Sequence, residues 1–345
     1  MSFDPRNILV INFGQLGDVV MSLPAFSAIR QRFPNAKITA IVGKPSAAIA
    51  EMSGTVNATI AVDRVSLRDG NTLVSIGRII KLVKSVRKLG FDFVIDLHSL
   101  SETNLLGFFS GAPHRLYAHR PSRTIELLSN FQPRVPREDL SKHAVDRYLD
   151  VLQPLGITGQ NRIPHLKTNS TDDAAIESLL KKEKASSNAL LVGLFVGAGH
   201  HLRRWPIERY AELADSLIRN EGVRVIVFLG PEERALMAEA KKSFPSTTIF
   251  FDRLTIGQLA AAQARLTFFV SNDTGPMHIA AAVGTPVIVL LDRPTVHGFI
   301  PIGEQHHILC ATSINEITVD RVYQVAHKLL AASRTEQIFS RADLR

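Results

Sequence analysis

The chain has 345 residues, of which 45% are hydrophobic and 21% are charged, a composition typical of a globular protein of about two domains. Its formal net charge of +8 favours anionic partners, such as phosphorylated substrates, nucleic acid or an acidic membrane surface. The single cysteine, Cys310, excludes an intramolecular disulfide and a thiolate metal cluster.

No segment has the pattern of a membrane span or a secretion signal. The longest apolar run, from Ile279 to Leu291, is too short to cross a bilayer and contains Gly284 and Pro286. The N-terminal apolar stretch is interrupted by polar residues and glycines. We therefore expect a protein that is soluble, or at most peripheral to a membrane.

The first half of the chain predicts a parallel α/β unit. A buried strand at 7–13 is followed by a glycine-containing turn and a helix that runs to about Arg32. Pro24 lies inside this helical pattern and predicts either a restart or a kink. Further strands are predicted over 37–42 and 91–97, further helices over 73–89 and 141–155, and an irregular segment over 98–139.

The second half repeats this alternation after a segment rich in Gly, Asn, Pro and Thr at 158–170. The pattern predicts strands over 190–196, 223–229, 266–271 and 287–291, and helices over 205–220, 232–244, 277–283 and 319–333. We place the domains at 1–165 and 166–333, with a charged tail at 334–345. Ligands of open α/β sheets bind beyond the carboxyl ends of the strands, so two such sheets predict a cleft between the domains.

The segment 271–278 (SNDTGPMH) is the strongest candidate binding motif, because it follows a strand and opens a helix. Thr274 suits the N-cap, Pro276 suits the first turn, and Gly275 lets a ligand approach the backbone. A helix N-terminus of this kind binds anions, and a diphosphate fits it well, with His278 close by. Simple helix capping by Asp273 and Thr274 explains the same residues.

A second glycine-containing turn, at 197–206 (GAGHHLRRWP), also leaves a predicted strand. Its arginines, including Arg204, suit phosphate recognition, because a guanidinium donates two parallel hydrogen bonds. The pair His200 and His201 lacks a third metal ligand in register, so we do not expect a metal site. We expect Trp205 to anchor the start of the next helix by packing.

Two acidic residues at strand-to-helix junctions are candidates for chemistry. Asp18, in the segment 14–18 (GQLGD), serves either as a helix cap or as a general base that takes a proton from an acceptor hydroxyl. Glu232 follows the predicted strand at 223–229 and suits hydrogen bonds from ribose hydroxyls, although glutamate is routine in a first helical turn.

Loop arginines of the first half are candidates for recognising phosphate or carboxylate groups on an acceptor. Each is also explained as a solvated surface charge. The candidates are Arg64, Arg68, Arg115, Arg120 and Arg123.

Taken together, these segments resemble glycosyltransferase family 9, the ADP-heptose:lipopolysaccharide heptosyltransferases. The resemblance spreads over nearly the whole chain in six ordered blocks, at 8–34, 91–98, 143–156, 197–206, 230–232 and 271–286. It implies a GT-B fold in which the N-terminal domain binds the acceptor and the C-terminal domain binds the ADP-sugar. It further implies that transfer inverts the anomeric centre.

The resemblance also assigns roles to individual residues. It implies that Asp18 is the catalytic base, that Glu232 binds ribose and that Leu254 packs near adenine. Arg204 stands where the family usually has lysine, which keeps the charge but changes the geometry. The diphosphate and sugar site is implied for the block 273–278, with Asp273, Thr274, Gly275, Pro276 and His278. Asp292 and Arg293 depart from the family's usual turn and bear on sugar identity.

The resemblance and the charge imply a set of partners. We expect a donor such as ADP-heptose, a phosphorylated or Kdo-bearing lipid acceptor, and peripheral contact with the anionic cytoplasmic face of the inner membrane. No metal cofactor is expected, because a helix N-terminus and Arg204 stabilise the leaving diphosphate. Nucleic acid is not an expected partner, because the positive charge is dispersed. The alternatives are a sugar-nucleotide epimerase or hydrolase, and a non-catalytic sugar-nucleotide-binding protein.

Overall fold

The computed structural model describes residues 3–64, 72–184, 189–292 and 297–342. The chain divides into two compact units, Met1–Lys167 and Thr168–Arg345, whereas the sequence placed the boundary after residue 165. Each unit is built on a parallel β-sheet, as predicted. Predicted positions that fall at 65–71, 293–296 and 343–345 lie outside the described residues.

The sheet of the first unit has the strand order β3-β2-β1-β4-β5, and every strand pair is parallel. Its strands are β1 Asn7–Asn12, β2 Lys37–Gly43, β3 Ala58–Val62, β4 Phe93–Asp96 and β5 His114–Tyr117. Its helices are α1 Leu16–Arg32, α2 Ala47–Met52, α3 Thr72–Lys88, α4 Ser101–Phe109 and α5 Ala144–Asp150.

Apolar burial explains the centre of this sheet. Five of the six residues of β1 are buried, which is the pattern of a central strand covered on both faces. Helix α1 is buried from Val19 through Phe26 and continues through Pro24, so the proline does not end it. The predicted end at about Arg32 is confirmed, whereas the alternative of a restart at Pro24 is wrong.

The sequence patterns missed the short elements of this unit. No element was predicted for residues 44–62, which hold α2 and β3, and the segment 98–139 was predicted to be irregular but contains α4 and β5. Strand β5 has only 4 residues and pairs with β4, and α4 has only 9 residues. Elements of this length depend on tertiary pairing more than on a readable hydrophobic period.

The sheet of the second unit has the order β11-β10-β9-β6-β7-β8, again parallel throughout. Its strands are β6 Leu191–Phe195, β7 Arg224–Phe228, β8 Ile249–Phe251, β9 Phe268–Asn272, β10 Val287–Leu291 and β11 His307–Cys310. Its helices are α6 Ser170–Lys182, α7 Ile207–Glu221, α8 Met237–Ser243, α9 Ile256–Gln263, α10 Gly275–Ala282 and α11 Val319–Ala342. The elements α6, β8, α9 and β11 were not predicted.

The final helix is longer than the sequence predicted. Helix α11 continues to Ala342, so the segment predicted as a charged tail from residue 334 lies largely within it. None of the described helices combines the length and the apolarity needed to cross a bilayer.

Glu221, the last residue of α7, holds α11 against the second unit. Its carboxylate accepts hydrogen bonds from Tyr323 at 2.9 Å and from Arg334 at 2.8 Å, and lies 2.6 Å from Nδ1 of His327. Arg334 also donates to the Glu221 carbonyl at 2.7 Å, which satisfies a carbonyl at the helix end. Burial alone would raise the pKa of Glu221, but these hydrogen bonds outweigh it and lower the pKa to about 2.

Replacing Glu221 with Gln removes the charge that these donors share. We expect the free energy of unfolding of the second unit to fall at pH 7 by about 1.5–3 kcal/mol, the usual range for hydrogen bonds to a charged group. Because the folded-state pKa lies below the ordinary 4.5, the stabilisation is present above that pH and is lost as the pH falls toward 2. Urea unfolding followed by the fluorescence of Trp205, the single tryptophan, measures the change.

Glu212→Gln is the matched control, because Glu212 is exposed on the same helix. We expect this control to unfold like the wild-type protein. An E221Q variant as stable as the wild type at pH 7 would contradict the role given to this cluster.

Candidate active site

Each sheet reverses its strand order at one point, and the loops at these two points carry most of the predicted site residues. In the first unit the reversal lies between β1 and β4, and in the second between β6 and β9. Open α/β sheets bind ligands beyond the carboxyl ends of the strands at such a point. A ligand of either sheet would therefore contact the loops that follow β1, β4, β6 and β9.

Asp18 lies in the first turn of α1, just after the loop that leaves β1. Its Oδ2 accepts the backbone N–H of Gln15 at 2.9 Å, so one carboxylate oxygen caps the helix. The residue is half-buried. Gly14 is needed beside it, because a Cβ there would lie 2.4 Å from the Cβ of Asp18.

His98 follows β4, on the other side of the reversal point, and arginines surround it. Burial lowers the pKa of its imidazole, and the positive charges of Arg120, Arg64 and Arg123 lower it further, to about 3. The imidazole is therefore neutral at physiological pH. Its Nδ1 is buried without a hydrogen-bond partner among the described residues.

Arg64 connects the loop after β1 to α4. Its guanidinium donates to the carbonyl of Phe13, lies 5.6 Å from the centre of the Phe13 ring, and lies 4.0 Å from the carboxylate of Glu102. Arg123 is exposed. These two arginines, beside the neutral imidazole of His98, form a positively charged region at the carboxyl edge of the first sheet.

Arg120 belongs to a largely buried ion-pair group that the sequence did not reveal. It shares one oxygen of Glu138 with Arg147, at 3.3 Å from each. The Arg120 guanidinium also lies 5.8 Å from the centre of the Tyr148 ring. Burial raises the pKa of Tyr148, and the negative charge of Asp18 raises it further. Asp18 and Arg120 are thus brought to the same aromatic side chain.

Arg115 does not lie in this region, which corrects its prediction as an acceptor-binding residue. It stands near the start of β5, and its guanidinium donates to the carbonyls of Leu128 at 2.8 Å and Ala112 at 2.6 Å. The side chain therefore holds a loop at the amino end of the strand. Arg68 lies outside the described residues.

Asp96, the last residue of β4, fixes the loop that carries His98. Its fully buried carboxylate accepts the backbone N–H groups of His98 at 3.1 Å and Ser99 at 2.7 Å, and the side-chain amide of Asn104 at 2.8 Å. Burial raises the pKa of Asp96 to about 6, although these hydrogen bonds oppose the rise. The arrangement holds the His98 loop against the sheet.

In the second unit, Asn272 joins the two loops at the reversal point. Its side-chain amide donates to the Gly197 carbonyl at 2.9 Å and to the Tyr210 hydroxyl at 3.0 Å. Its Oδ1 accepts the backbone N–H of Trp205 at 3.1 Å. The buried Trp205 in turn donates from Nε1 to the Ile317 carbonyl at 2.8 Å, so it anchors this loop.

The segment after β9 opens α10 at Gly275. Thr274 is the N-cap residue, but its side chain does not cap the helix and instead pairs with Ser271 at 2.9 Å. Asp273, Thr274, Gly275 and Pro276 are half-buried, and His278 is buried. The structure therefore keeps the predicted segment together at the carboxyl end of β9.

In the loop after β7, Glu233 is half-buried, whereas its neighbour Glu232 is exposed. Glu233 accepts the Gly230 N–H at 3.0 Å, and its carboxylate lies against Gly197, where a Cβ would be 2.3 Å from it. Burial raises the pKa of Glu233, and the charge of Glu232 raises it further, whereas Arg204 lowers it. The positive charge of Arg204 is therefore close enough to Glu233 to act on its carboxylate.

Two further predicted positions, Leu254 and His200, lie in the second unit. Leu254 is half-buried and packs against the apolar cluster that contains Phe251. His200 Nδ1 accepts the N–H of Leu202 at 3.3 Å. Within the described ranges, no three His, Cys, Asp or Glu side chains are grouped closely enough to hold a metal ion.

Comparisons with known proteins decide the family. The model of glycosyltransferase family 9 (heptosyltransferase) matches residues 79–328. The chain belongs to glycosyltransferase family 9. Lipopolysaccharide heptosyltransferase 2 of Salmonella typhimurium is 27% identical over 355 residues, which cover 94% of this chain and 98% of that protein.

Solved structures agree on the fold. The family 9 glycosyl transferase of Veillonella parvula has a TM-score of 0.84 at 24% identity, covering 96% of this chain and 99% of that one. The ADP-heptose lps heptosyltransferase II of E. coli has a TM-score of 0.79 at 23% identity, covering 95% and 99%. This family 9 glycosyltransferase therefore has the predicted GT-B fold, and the prediction of an enzyme of this class is confirmed.

Sequence reasoning missed several residues that organise the loops of the candidate site. Asn272 lay inside a predicted motif but had no role, and Glu233 was passed over for its neighbour. Asp96 and Glu138 were not considered at all. A signal was available for two of them, because a polar side chain ends the apolar runs of β4 and β9.

We expect His98 to remain neutral in the folded glycosyltransferase down to about pH 4, because burial and three nearby arginines lower its pKa to about 3. A protein labelled with ¹⁵N-histidine gives the ring shifts as a function of pH, and His98→Gln assigns the resonance. Arg123→Gln, at the exposed arginine, raises this pKa while leaving the fold intact. A His98 resonance that titrates near 6.5 would contradict the described surroundings.

Proposed function

We propose that this glycosyltransferase moves a heptose from ADP-heptose to a phosphorylated or Kdo-bearing acceptor of the lipopolysaccharide inner core, with inversion at the anomeric carbon. The family assignment and the names of the similar proteins, which include lipopolysaccharide and ADP-heptose heptosyltransferases, support this donor and acceptor. The observation that carries the proposal is the pair of loops that Asn272 holds together at the carboxyl end of the second sheet.

The donor site is proposed on this pair of loops. The N-terminus of α10 carries a partial positive charge, and Gly275 permits close approach to the diphosphate. Arg204 adds a guanidinium for bidentate contact with phosphate oxygens. Asp273 and His278 are proposed to contact the diphosphate and sugar, and Leu254 to pack near adenine. For the ribose hydroxyls the candidates are Glu232 and its inward neighbour Glu233.

The chemistry is proposed as a single inverting displacement. The acceptor hydroxyl gives its proton to the Asp18 carboxylate as its oxygen forms a bond to the anomeric carbon. The bond from that carbon to the donor phosphate breaks, and ADP leaves with the electron pair. The helix N-terminus and Arg204 stabilise the negative charge that develops on the diphosphate, so the proposal requires no metal ion.

The acceptor site is proposed in the first unit, around the positively charged region of Arg64 and Arg123, with Arg120 and His98 beside it. Arginines recognise phosphate and carboxylate groups, which such an acceptor carries. The neutral imidazole of His98 adds a hydrogen-bonding group without adding charge. Arg68 remains part of this proposal, and Arg115 is omitted because backbone carbonyls occupy its guanidinium.

The place of action is proposed as the anionic cytoplasmic face of the inner membrane. The net charge of +8 supports attraction to such a surface. A lipid-linked acceptor would be presented there.

Asp18→Asn tests the proposed base. The asparagine keeps a side-chain oxygen for the Gln15 N–H, so the cap of α1 is preserved while the basic group is lost. We expect turnover to fall by about 10²–10⁴, the usual contribution of a general base, with ADP affinity unchanged. Transfer assays in the presence of EDTA measure turnover, and calorimetry measures ADP binding.

Wild-type turnover in D18N would remove Asp18 from the proposed role. A variant that lost ADP binding as well would indicate a structural effect instead. Loss of wild-type activity in EDTA, restored by a divalent cation, would contradict the metal-free reaction.

Arg204 variants test the donor site. We expect Arg204→Gln to weaken ADP binding roughly 10- to 100-fold, because a charge-assisted hydrogen bond is lost. Arg204→Lys restores the charge without the bidentate geometry and recovers only part of the affinity. Calorimetric titration with ADP, UDP and GDP measures both effects and the base preference. A preference for UDP, or unchanged ADP affinity in R204Q, would contradict the donor assignment.

A further inference from the structure

Helices α3 and α4 expose apolar side chains that the catalytic proposal does not use. Ile76 and Ile80 on α3 are both 48% exposed, and Phe108 and Phe109 on α4 are 42% and 46% exposed. Leu105, also exposed, shares the outer face of α4 with the two phenylalanines through i, i+3 and i+4 spacing. Large exposed apolar groups of this kind mark interaction surfaces when they are contiguous.

The two isoleucines lie on the side of α3 that is directed toward α4. Helices α3 and α4 lie against each other, and Nε of Arg87 reaches to 3.8 Å from the position of a Cβ at Gly111, just after α4. Arg87 projects from α3 at nearly the same angle around the helix axis as Ile76 and Ile80, since 7 and 11 residues bring a helix back to a similar face. The isoleucines therefore face the side on which α4 ends.

Basic residues border these apolar groups. Lys81, Lys84, Arg87 and Lys88 are exposed on α3, and none of them forms an ion pair with another described residue. The segment Thr72–Lys88 contains no acidic residue. Its inward face is fixed to the core by Val86, which is buried, and by Leu82 and Val83, so the basic residues must face outward.

We propose that this α3–α4 surface, formed by Ile76, Ile80, Leu105, Phe108 and Phe109 with Lys81, Lys84, Arg87 and Lys88, docks on an anionic lipid bilayer. The apolar side chains enter the boundary between headgroups and acyl chains, and the basic side chains contact lipid phosphates. The absence of acidic residues in α3 favours an anionic occupant, and the mixture of aliphatic, aromatic and lysine side chains favours a lipid interface.

Helix α4 connects this surface to the proposed acceptor site. The role given to membrane docking in catalysis therefore rests on the proposed function. Helix α4 begins shortly after His98, carries Glu102 beside Arg64, and ends at Phe109. At 1.5 Å per residue, its 9 residues span about 14 Å. A lipid-linked acceptor in the docked bilayer is thus within the reach of a short oligosaccharide.

Co-sedimentation with vesicles tests the proposal without any need for turnover. We expect the full chain to pellet with equimolar phosphatidylglycerol–phosphatidylcholine vesicles, and much less with pure phosphatidylcholine or at high salt. The triple variant K81Q/K84Q/K88Q is expected to lose roughly a hundredfold in vesicle affinity, since each basic residue contributes about fivefold near an anionic surface. Phe109→Ser is expected to lose roughly tenfold.

Matched controls separate the surface from general charge and hydrophobicity. The variant K241Q/K242Q/K328Q removes the same charge from exposed positions of the second unit, and Ile163→Ser removes another exposed apolar side chain. Both controls should bind vesicles like the wild type. Transfer to a water-soluble acceptor fragment should be unchanged in the α3–α4 variants. A failure of the proposed function would appear in this transfer assay and not in the vesicle-binding assay.

Vesicle binding of the α3–α4 triple variant equal to the wild type would overturn the proposal, as would a wild-type chain that ignores anionic vesicles. Analytical ultracentrifugation supplies the remaining outcome. If the wild type is a dimer and Phe109→Ser dissociates it, a second copy of the chain covers this surface. That result would also overturn the proposed docking on a bilayer.

Discussion

Buried polar side chains at the last positions of central strands are the constraint on which the rest of this structure depends. Parallel strands covered on both faces are nearly continuous apolar runs, so a buried amide or carboxylate at the end of such a strand is a marked departure from the pattern. Asn12 ends β1, Asp96 ends β4 and Asn272 ends β9, and each is at most 1% exposed. A buried polar group must find hydrogen-bond partners, and here the partners are the loops that follow the strands.

Each of the three side chains therefore fixes a particular piece of backbone. Asn12 accepts the Gly14 N–H at 2.9 Å and donates to Ser22 at 2.9 Å, which ties both ends of the turn that carries Asp18. Asp96 fixes the His98 loop, and Asn272 fixes the loop at Gly197. Loops held in this way present their groups with little reorganisation, which electrostatic stabilisation of a reaction requires.

The sequence predicted most of the elements that end in these residues, because long apolar strands and capped helices have clear patterns. The strand before Asp18 and the segment 271–278 are examples. It could not predict α4 and β5, which depend on pairing with β4, nor the contacts of individual guanidinium groups. Arg115 and Arg120 look alike in sequence, yet Arg115 donates to backbone carbonyls, whereas Arg120 pairs with Glu138. Glu138 lies 18 residues after Arg120 and 9 residues before Arg147, with which Arg120 shares it. Glu232 and Glu233 differ only in the direction each side chain takes from the turn.

The two proposals divide the positive charge of the first unit between acceptor binding and membrane docking, and α4 connects the two groups of residues. Arg64 and Arg123, beside a histidine kept neutral by burial and by those charges, suit an anionic acceptor headgroup. The exposed lysines of α3 are proposed to contact an extended anionic surface instead of a single headgroup. A bilayer held by the lysines would confine a lipid-linked acceptor near His98 and raise its effective concentration, so the arginines need only modest affinity of their own. Modest affinity also favours release of a product that keeps the same anionic groups. The separation of charge between helix and loops is therefore consistent with an enzyme that stays on the membrane while its acceptors exchange.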